Sequence, residues 1–252
     1  MSFAVAAGAY DRFMGRYSMQ LSSQLADLAG VTSGTRAIDV GCGPGALTGE
    51  LVARLGESSV SAVDPSESFV EAARERHPGV DVQLAPAESL PFPDGSFDVA
   101  LAQLVVHFMS DPVGGIREMA RVVRPGGTVV ACVWDHAGER SPLTPFWHAA
   151  RELDPDAGDE SAMPGAREGH LIELFEEAGL GDVVGTVLIA RVEHATFAAW
   201  WELFTLGVGP AGGYVAGLDA ESREALRERC RASLGDGPFV IEGRAWAAKG
   251  TA

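Results

Sequence analysis

Lysine is almost missing from this 252-residue chain: of nineteen basic side chains only Lys249 is one, the rest being arginine. Chemistry that needs a lysine in mid-chain, such as a Schiff base or a Tyr-x-x-x-Lys dehydrogenase pair, is therefore excluded. Cysteine is scarce too. The three present, Cys42, Cys132 and Cys230, have no CxxC spacing, so neither a disulfide framework nor a zinc site is expected, and a reducing cytoplasm fits. The six histidines show no HExxH or paired spacing, and no metal is expected. No run approaches the ~20 apolar residues of a membrane span; the most apolar window, 99–109, is broken by Gln103 and His107. The start has no basic region of the kind that opens a secretory signal. Positive charge is also short. Nineteen basic against thirty-five acidic side chains leave a net charge of −16. A polyanion would be repelled, and the basic footprint that releases counterions from nucleic acid is missing.

What remains is ordinary globular material, 46% hydrophobic and 21% charged, enough for a packed core. Strand-like and helix-like patterns alternate through the first two thirds. Strands are predicted over 36–40, 60–63, 80–84, 97–104 and 128–134, with helices near 47–55, 66–76 and 112–124 between them. Such alternation predicts an α/β fold with a doubly wound, mostly parallel sheet and right-handed crossovers. In the last third a helix is predicted over 169–178 and strands over 184–192 and 239–249. The forty-odd residues between these strands are too long for a bare loop, so 196–238 reads as a helical insertion carrying one aromatic-rich helix, 197–206, and one charged helix, 219–234. The acidic stretch 154–160 and the glycine-rich stretch 207–217 read as flexible. The domain reading is a single unit: an N-terminal helical cap (1–35), a cofactor-binding core (36–195), the insertion or lid (196–238), and a last strand and tail (239–252).

The chemistry centres on Asp39-Val40-Gly41-Cys42-Gly43-Pro44-Gly45, after the first predicted strand. Glycines there let a ligand approach the backbone and permit positive φ, and the following helix offers free N–H groups. A GxG alone would also open a nicotinamide site, since Gly41-x-Gly43-x-x-Ala46 meets the looser dinucleotide form. Asp64, ending the second strand, suits a ribose diol in either case. Asp39 discriminates: a carboxylate ahead of the glycines crowds a pyrophosphate but suits a cofactor with a free ammonium. Pro44 removes one N–H that a phosphate would use.

Four motifs then stand in a familiar order and spacing: AIDVGCGPG (37–45), AVDPS (62–66), AESLPFPDGSFDVALAQLVVHF (87–108) and REMARVVRPGGTVV (117–130). With them the chain resembles the class I S-adenosylmethionine-dependent methyltransferases of the small-molecule type-11 sort, akin to quinone-biosynthesis C-methyltransferases. The opening YDRFMGRYS (10–18) is similar to the N-terminal cap of that group. The resemblance implies a seven-stranded sheet of order 3-2-1-4-5-7-6, its last strand antiparallel. It implies that Gly41, Gly43 and Gly45 line the methionine part of S-adenosylmethionine, with Asp39 near its amino group. Asp64 would hold the ribose hydroxyls, Pro65 would pack beside the adenine, and Ala87 and Glu88 would meet the adenine edge. Gln103 would face the methionine end, and His107 would stand where the acceptor binds, as the candidate base if the nucleophile arrives protonated. The product would be S-adenosylhomocysteine and the partner a small-molecule methyl acceptor.

Each residue also has a plainer reading. Asp39 could cap a helix or pair with an arginine, Asp64 could cap the helix after it, and a lone His107 could be a satisfied core histidine. Tyr10, Arg16 and Tyr17 either pin down the first helix or touch substrate. Trp134, ending the fifth strand, is a further acceptor candidate. Trp200 belongs to a stripe with Phe197, Trp201 and Phe204 at core-packing spacing, with an acceptor lining as the minority reading. The fourth strand ends in Gln103-Leu104-Val105-Val106, not in the Asn/Asp-Pro-Pro-aromatic signature of amino-methylating DNA enzymes. Two rivals stay open: a nicotinamide-dependent oxidoreductase, and a non-catalytic S-adenosylmethionine-binding regulator. The acceptor atom and the oligomeric state are not legible.

Overall fold

A computed structural model describes residues 7–252. The first six residues of the expected cap lie outside the described residues. The chain opens with a short helix α1 (Ala7–Tyr10), a five-residue π-turn (Asp11–Gly15) and helix α2 (Arg16–Ala29), which a left-handed Gly30 stops. Then come β1 (Ala37–Val40), α3 (Ala46–Leu55), β2 (Val60–Asp64), α4 (Glu67–Arg76), β3 (Asp81–Leu84) and β4 (Phe97–Gln103). Helix α5 (Pro112–Val122) follows, started by Asp111, whose carboxylate accepts the Gly114 N–H, and by a proline in its first turn. The remainder is β5 (Val123–Trp134), α6 (Thr144–Leu153), α7 (His170–Glu177), β6 (Gly181–His194), α8 (Phe197–Phe204), α9 (Gly209–Gly217), α10 (Ala220–Leu234) and β7 (Phe239–Thr251).

The seven strands form one sheet in the order β3-β2-β1-β4-β5-β7-β6. Neighbours from β3 to β5 are parallel, and β7 runs antiparallel to both β5 and β6. Burial on both faces explains the continuous apolar strands. Along β4, Val99 and Leu101 enter one core, with α2 and α3, while Ala100 and Ala102 enter the other, with α5 and α7. The order, the antiparallel last strand and the helices between β6 and β7 are those the sequence implies.

Two stretches differ from the expectation. The glycine-rich segment 207–217, expected to be flexible, is mostly helix α9, because Val208, Ala211 and Val215 are buried in the aromatic core beside α8. Tertiary packing supplies what intrinsic propensity lacks. The acidic stretch 154–160 buries Ala157 and Glu160, and helix α6 before it was not anticipated, although Phe146, Trp147, Ala149 and Ala150 form its buried face.

Strand β6 is an edge of the sheet, and α2 lies along it. Gln20 donates to Arg191 O (2.8 Å) and accepts the Arg191 N–H (3.0 Å). One turn on, Gln24 does the same to Ile189 (2.8 and 3.2 Å). Arg16, one turn earlier, donates to Glu193 O (2.7 Å). Residues four apart on a helix thus meet residues two apart on a strand, the two rises being nearly equal.

Candidate functional site

The turn between β1 and α3 is built from three left-handed glycines, Gly41 (φ +73°), Gly43 (+54°) and Gly45 (+97°). A Cβ on Gly41 would stand 2.5 Å from both Val105 methyl carbons, so the close approach of the turn following β4 also requires glycine. The N–H groups of this loop are spent. Gly41 and Cys42 donate to Val63 O (2.8 and 2.9 Å), Gly43 to Asp64 Oδ2 (2.9 Å) and Gly45 to Cys42 O (3.0 Å), while Pro44 has none. Asp64 is 6% exposed at the end of β2. Its other oxygen accepts the Ser66 N–H (2.9 Å), so each oxygen keeps a free lone pair. Burial raises its pKa, and these two N–H groups oppose the rise.

An open cleft lies beside this loop. Gly41, Gly43, Asp64, Pro65 and Gln103 all line it, together with Tyr10 from the N-terminal segment and Phe69 from α4. The Tyr10 and Phe69 rings meet edge to face at 5.4 Å, and burial pushes the Tyr10 hydroxyl up to about 12. Gln103 donates to Ser18 O (3.1 Å), and its buried Oε1 has no partner among the described residues. The next residue, Leu104, takes φ +60°, an uncommon conformation for a side chain of this size that swings the chain along the cleft.

Other candidates stand elsewhere. Asp39 lies behind the loop: its Oδ2 accepts the Thr48 hydroxyl of α3 (2.7 Å), its Oδ1 has no partner, and burial pushes it up to about 7. Ala87 packs toward α5 in the second core. Glu88 accepts from the Ser110 N–H (2.8 Å), the Ser110 hydroxyl (2.9 Å) and the Asp111 N–H (3.2 Å), which fixes the turn before α5. Neither lines the cleft.

A second cleft of ≈ 430 Å³ adjoins the first and shares Tyr10, Leu104 and Phe108 with it. His107 and Trp134 line it. His107 is held well below its ordinary pKa, chiefly by burial and further by His136, whose ring lies 6.1 Å away. His136 and Glu160 line the same cleft and were missed in the sequence. His136 lies two residues after Trp134, just past the end of β5, a usual place for functional groups in open α/β sheets, and that was the signal available for it. Tyr17 does not reach either cleft; its hydroxyl meets His194 Nε2 (3.1 Å) and its ring packs edge-on to Trp134. Arg16 binds the β6 edge, and Trp200 is buried between Phe197, Phe204 and Phe239.

A family model described as "Methyltransferase domain" matches residues 38–131. The uncharacterised methyltransferase Rv3342 of Mycobacterium tuberculosis is 36% identical over 140 residues, 56% of this chain and 54% of that protein. Demethylmenaquinone methyltransferase of Tropheryma whipplei is 37% identical over 123 residues, 48% of this chain and 49% of that one. The matched region spans from about a third to about half of the length of such relatives. Among solved structures, a phosphoethanolamine N-methyltransferase of Haemonchus contortus, in complex with phosphomonomethylethanolamine and S-adenosylhomocysteine, aligns with TM-score 0.60 and 15% identity over 97% of this chain and 56% of that one. That likeness concerns the fold. Residues 38–131, from the first strand through most of the fifth, are thus the part of this chain that is similar to a methyltransferase domain.

Proposed function

We propose that this chain transfers the sulfonium methyl of S-adenosylmethionine to a small-molecule acceptor. The observation that carries the proposal is the spent loop. With each N–H of residues 41–45 engaged and a buried carboxylate at its centre, the loop can neither cradle nor tolerate a pyrophosphate. It suits a cofactor with a ribose diol, an ammonium group and no phosphate. The residues present fit one. Asp64 has a free lone pair on each oxygen for the two ribose hydroxyls. The unpartnered Gln103 Oε1 can accept from the ammonium, and Pro65, Phe69 and Tyr10 offer apolar flanks to the adenine. Asp39, one layer back, is assigned to holding α3 onto the loop through Thr48.

The bound cofactor supplies an activated methyl group, and the protein aligns a nucleophile with it and excludes water. The acceptor's electron pair forms the new bond, the methyl–sulfur pair stays with sulfur, and any proton on the nucleophile must be taken up. The second cleft, continuous with the first, is the acceptor's place. Calorimetric titration with S-adenosylhomocysteine, with NAD as control, tests the reading: micromolar binding of the first and none of the second is expected. Binding of NAD alone refutes it.

A further inference from the structure

The cofactor reading leaves an unused set of polar groups in the second cleft. His107 Nδ1, Trp134 Nε1 and His136 Nε2 are each buried without a partner among the described residues, and their side chains are more than nine-tenths buried. The rest of the lining is largely apolar, from Phe13 and Met14 of the N-terminal segment to Leu143 and Val208, and it includes no lysine or arginine. A phosphate or carboxylate would find no counter-charge there.

Behind His136 lies Glu160, 3% exposed, with Oε2 3.9 Å from His136 Nδ1 and accepting the Trp147 indole N–H (2.5 Å). The separation from Nδ1 is too long for a hydrogen bond, and the two side chains face each other in a buried place. On their other side, His136 and Glu160 line a crevice of ≈ 210 Å³ with Ser141, Thr144, Arg151 and Asp159. The pair therefore stands between an apolar chamber and a narrow polar crevice.

We infer that His136, backed by Glu160, is the base that accepts a proton from the hydroxyl of an uncharged ring acceptor, a phenol or enol, bound in the second cleft. The inference rests on the methyl-transfer reading. In the step, the O–H bond breaks, the electron pair stays on oxygen, and the proton binds His136 Nε2. The Trp134 N–H is placed to donate to the oxygen. The electron pair on that oxygen then takes the methyl, whose bonding pair stays with sulfur, and the proton leaves His136 on the crevice side. The groups facing His136 are His107 from the turn following β4, Arg151 from α6, and Glu139, Asp159 and Glu160 from the connections. Burial brings His136 down to about 4 and Glu160 up to about 7, so in the empty cleft the imidazole is neutral with its Nε2 lone pair open, and the phenolate formed beside it supplies the counter-charge that burial withholds. His107 has no carboxylate behind it and is assigned to acceptor contact.

The test uses para-nitrophenol as probe, with the full chain saturated with S-adenosylhomocysteine, and follows the phenolate absorbance against pH. The expected result is binding with the phenol ionising at lower pH than free in solution. In His136→Gln that ionisation should move upward, the bound phenol holding its proton about tenfold or more tightly than in the wild type. Glu160→Gln, nearly isosteric, should move it in the same direction by less. His107→Gln should weaken binding without moving the ionisation. The inference is overturned by a wild type that does not bind the phenol, or by His136→Gln and wild type titrating alike. If His136→Gln does not fold, an unmoved titration in Glu160→Gln overturns it. Calorimetry on the same samples separates the two readings: failure of S-adenosylhomocysteine to bind the wild type refutes the cofactor, whereas normal binding with an unmoved phenol titration refutes only the base.

Discussion

Removing the Asp64 carboxylate should weaken cofactor binding and loosen the glycine loop together, and two substitutions separate the effects. Asp64 accepts the N–H groups of Gly43 and Ser66, each at 2.9 Å. Asparagine keeps one acceptor and turns an NH₂ toward the other N–H, so one buried donor loses its partner. That costs about 1–3 kcal/mol, or a fall in Tm of about 2–12 °C for a chain of this size. On the ligand side, a hydrogen bond to a charged group is worth about 1.5–3 kcal/mol. Losing one should weaken S-adenosylhomocysteine binding roughly 10- to 100-fold in Asp64→Asn, and losing both roughly 100- to 10,000-fold in Asp64→Ala. Calorimetric titration and thermal unfolding on the same preparations read both numbers. An Asp64→Ala protein that stays folded and binds within threefold of the wild type refutes the ribose assignment.

Gly41→Ala must adopt φ +73° and push its Cβ into the Val105 methyls, so stability should fall by about 2–5 kcal/mol; a denaturant midpoint unchanged from the wild type would contradict the close approach. Asp39 has its carboxyl raised from 3.8 to about 7 by burial. The folded state therefore holds that proton more tightly than the unfolded chain, and the stability linked to it is present at low pH and lost as pH rises from about 4 to 7. Asp39→Asn should flatten this decline, and parallel stability–pH profiles for variant and wild type would show that Asp39 is not the group responsible. Tyr17→Phe strips the buried His194 Nε2 of its partner and should lower stability by about 1–3 kcal/mol, leaving S-adenosylhomocysteine affinity as it was; a large loss of affinity would place Tyr17 in the site.

The parts of the molecule legible in the sequence are those whose placement is local. A glycine turn, a carboxylate ending the next strand and a glutamine ending the fourth are each dictated by residues within a few positions, and the sheet puts them side by side because strand ends of a parallel sheet share one rim. Asp39 shows the limit. It is as local as the others, yet its side chain points back to Thr48, and the choice between facing a ligand and facing a helix is made by packing. His136 and Glu160 were hidden for a different reason. One is a single histidine, and the other ends an acidic run, DPDAGDE, that reads as a solvated surface. Only the connections after β5 bring residues 107, 136 and 160 to one chamber. Helix α9 was hidden in turn because a run of four glycines in nine residues has no helical propensity to display, and its ordering comes from Val208, Ala211 and Val215.

The two glutamines along β6 carry a consequence for how copies of this chain meet. An open strand edge is a template on which a foreign strand can zip, and sheets guard it with charges, bulges or a cover. Here the cover is a counterfeit strand: at Ile189 and Arg191 each Gln20 or Gln24 amide presents one donor and one acceptor, as a neighbouring peptide unit would. A second molecule cannot lengthen the sheet across residues 189–193 without first displacing α2 from the segment that leads to Tyr10 and the cofactor cleft. Sheet-to-sheet self-association through residues 189–193 would therefore disturb the segment that carries Tyr10.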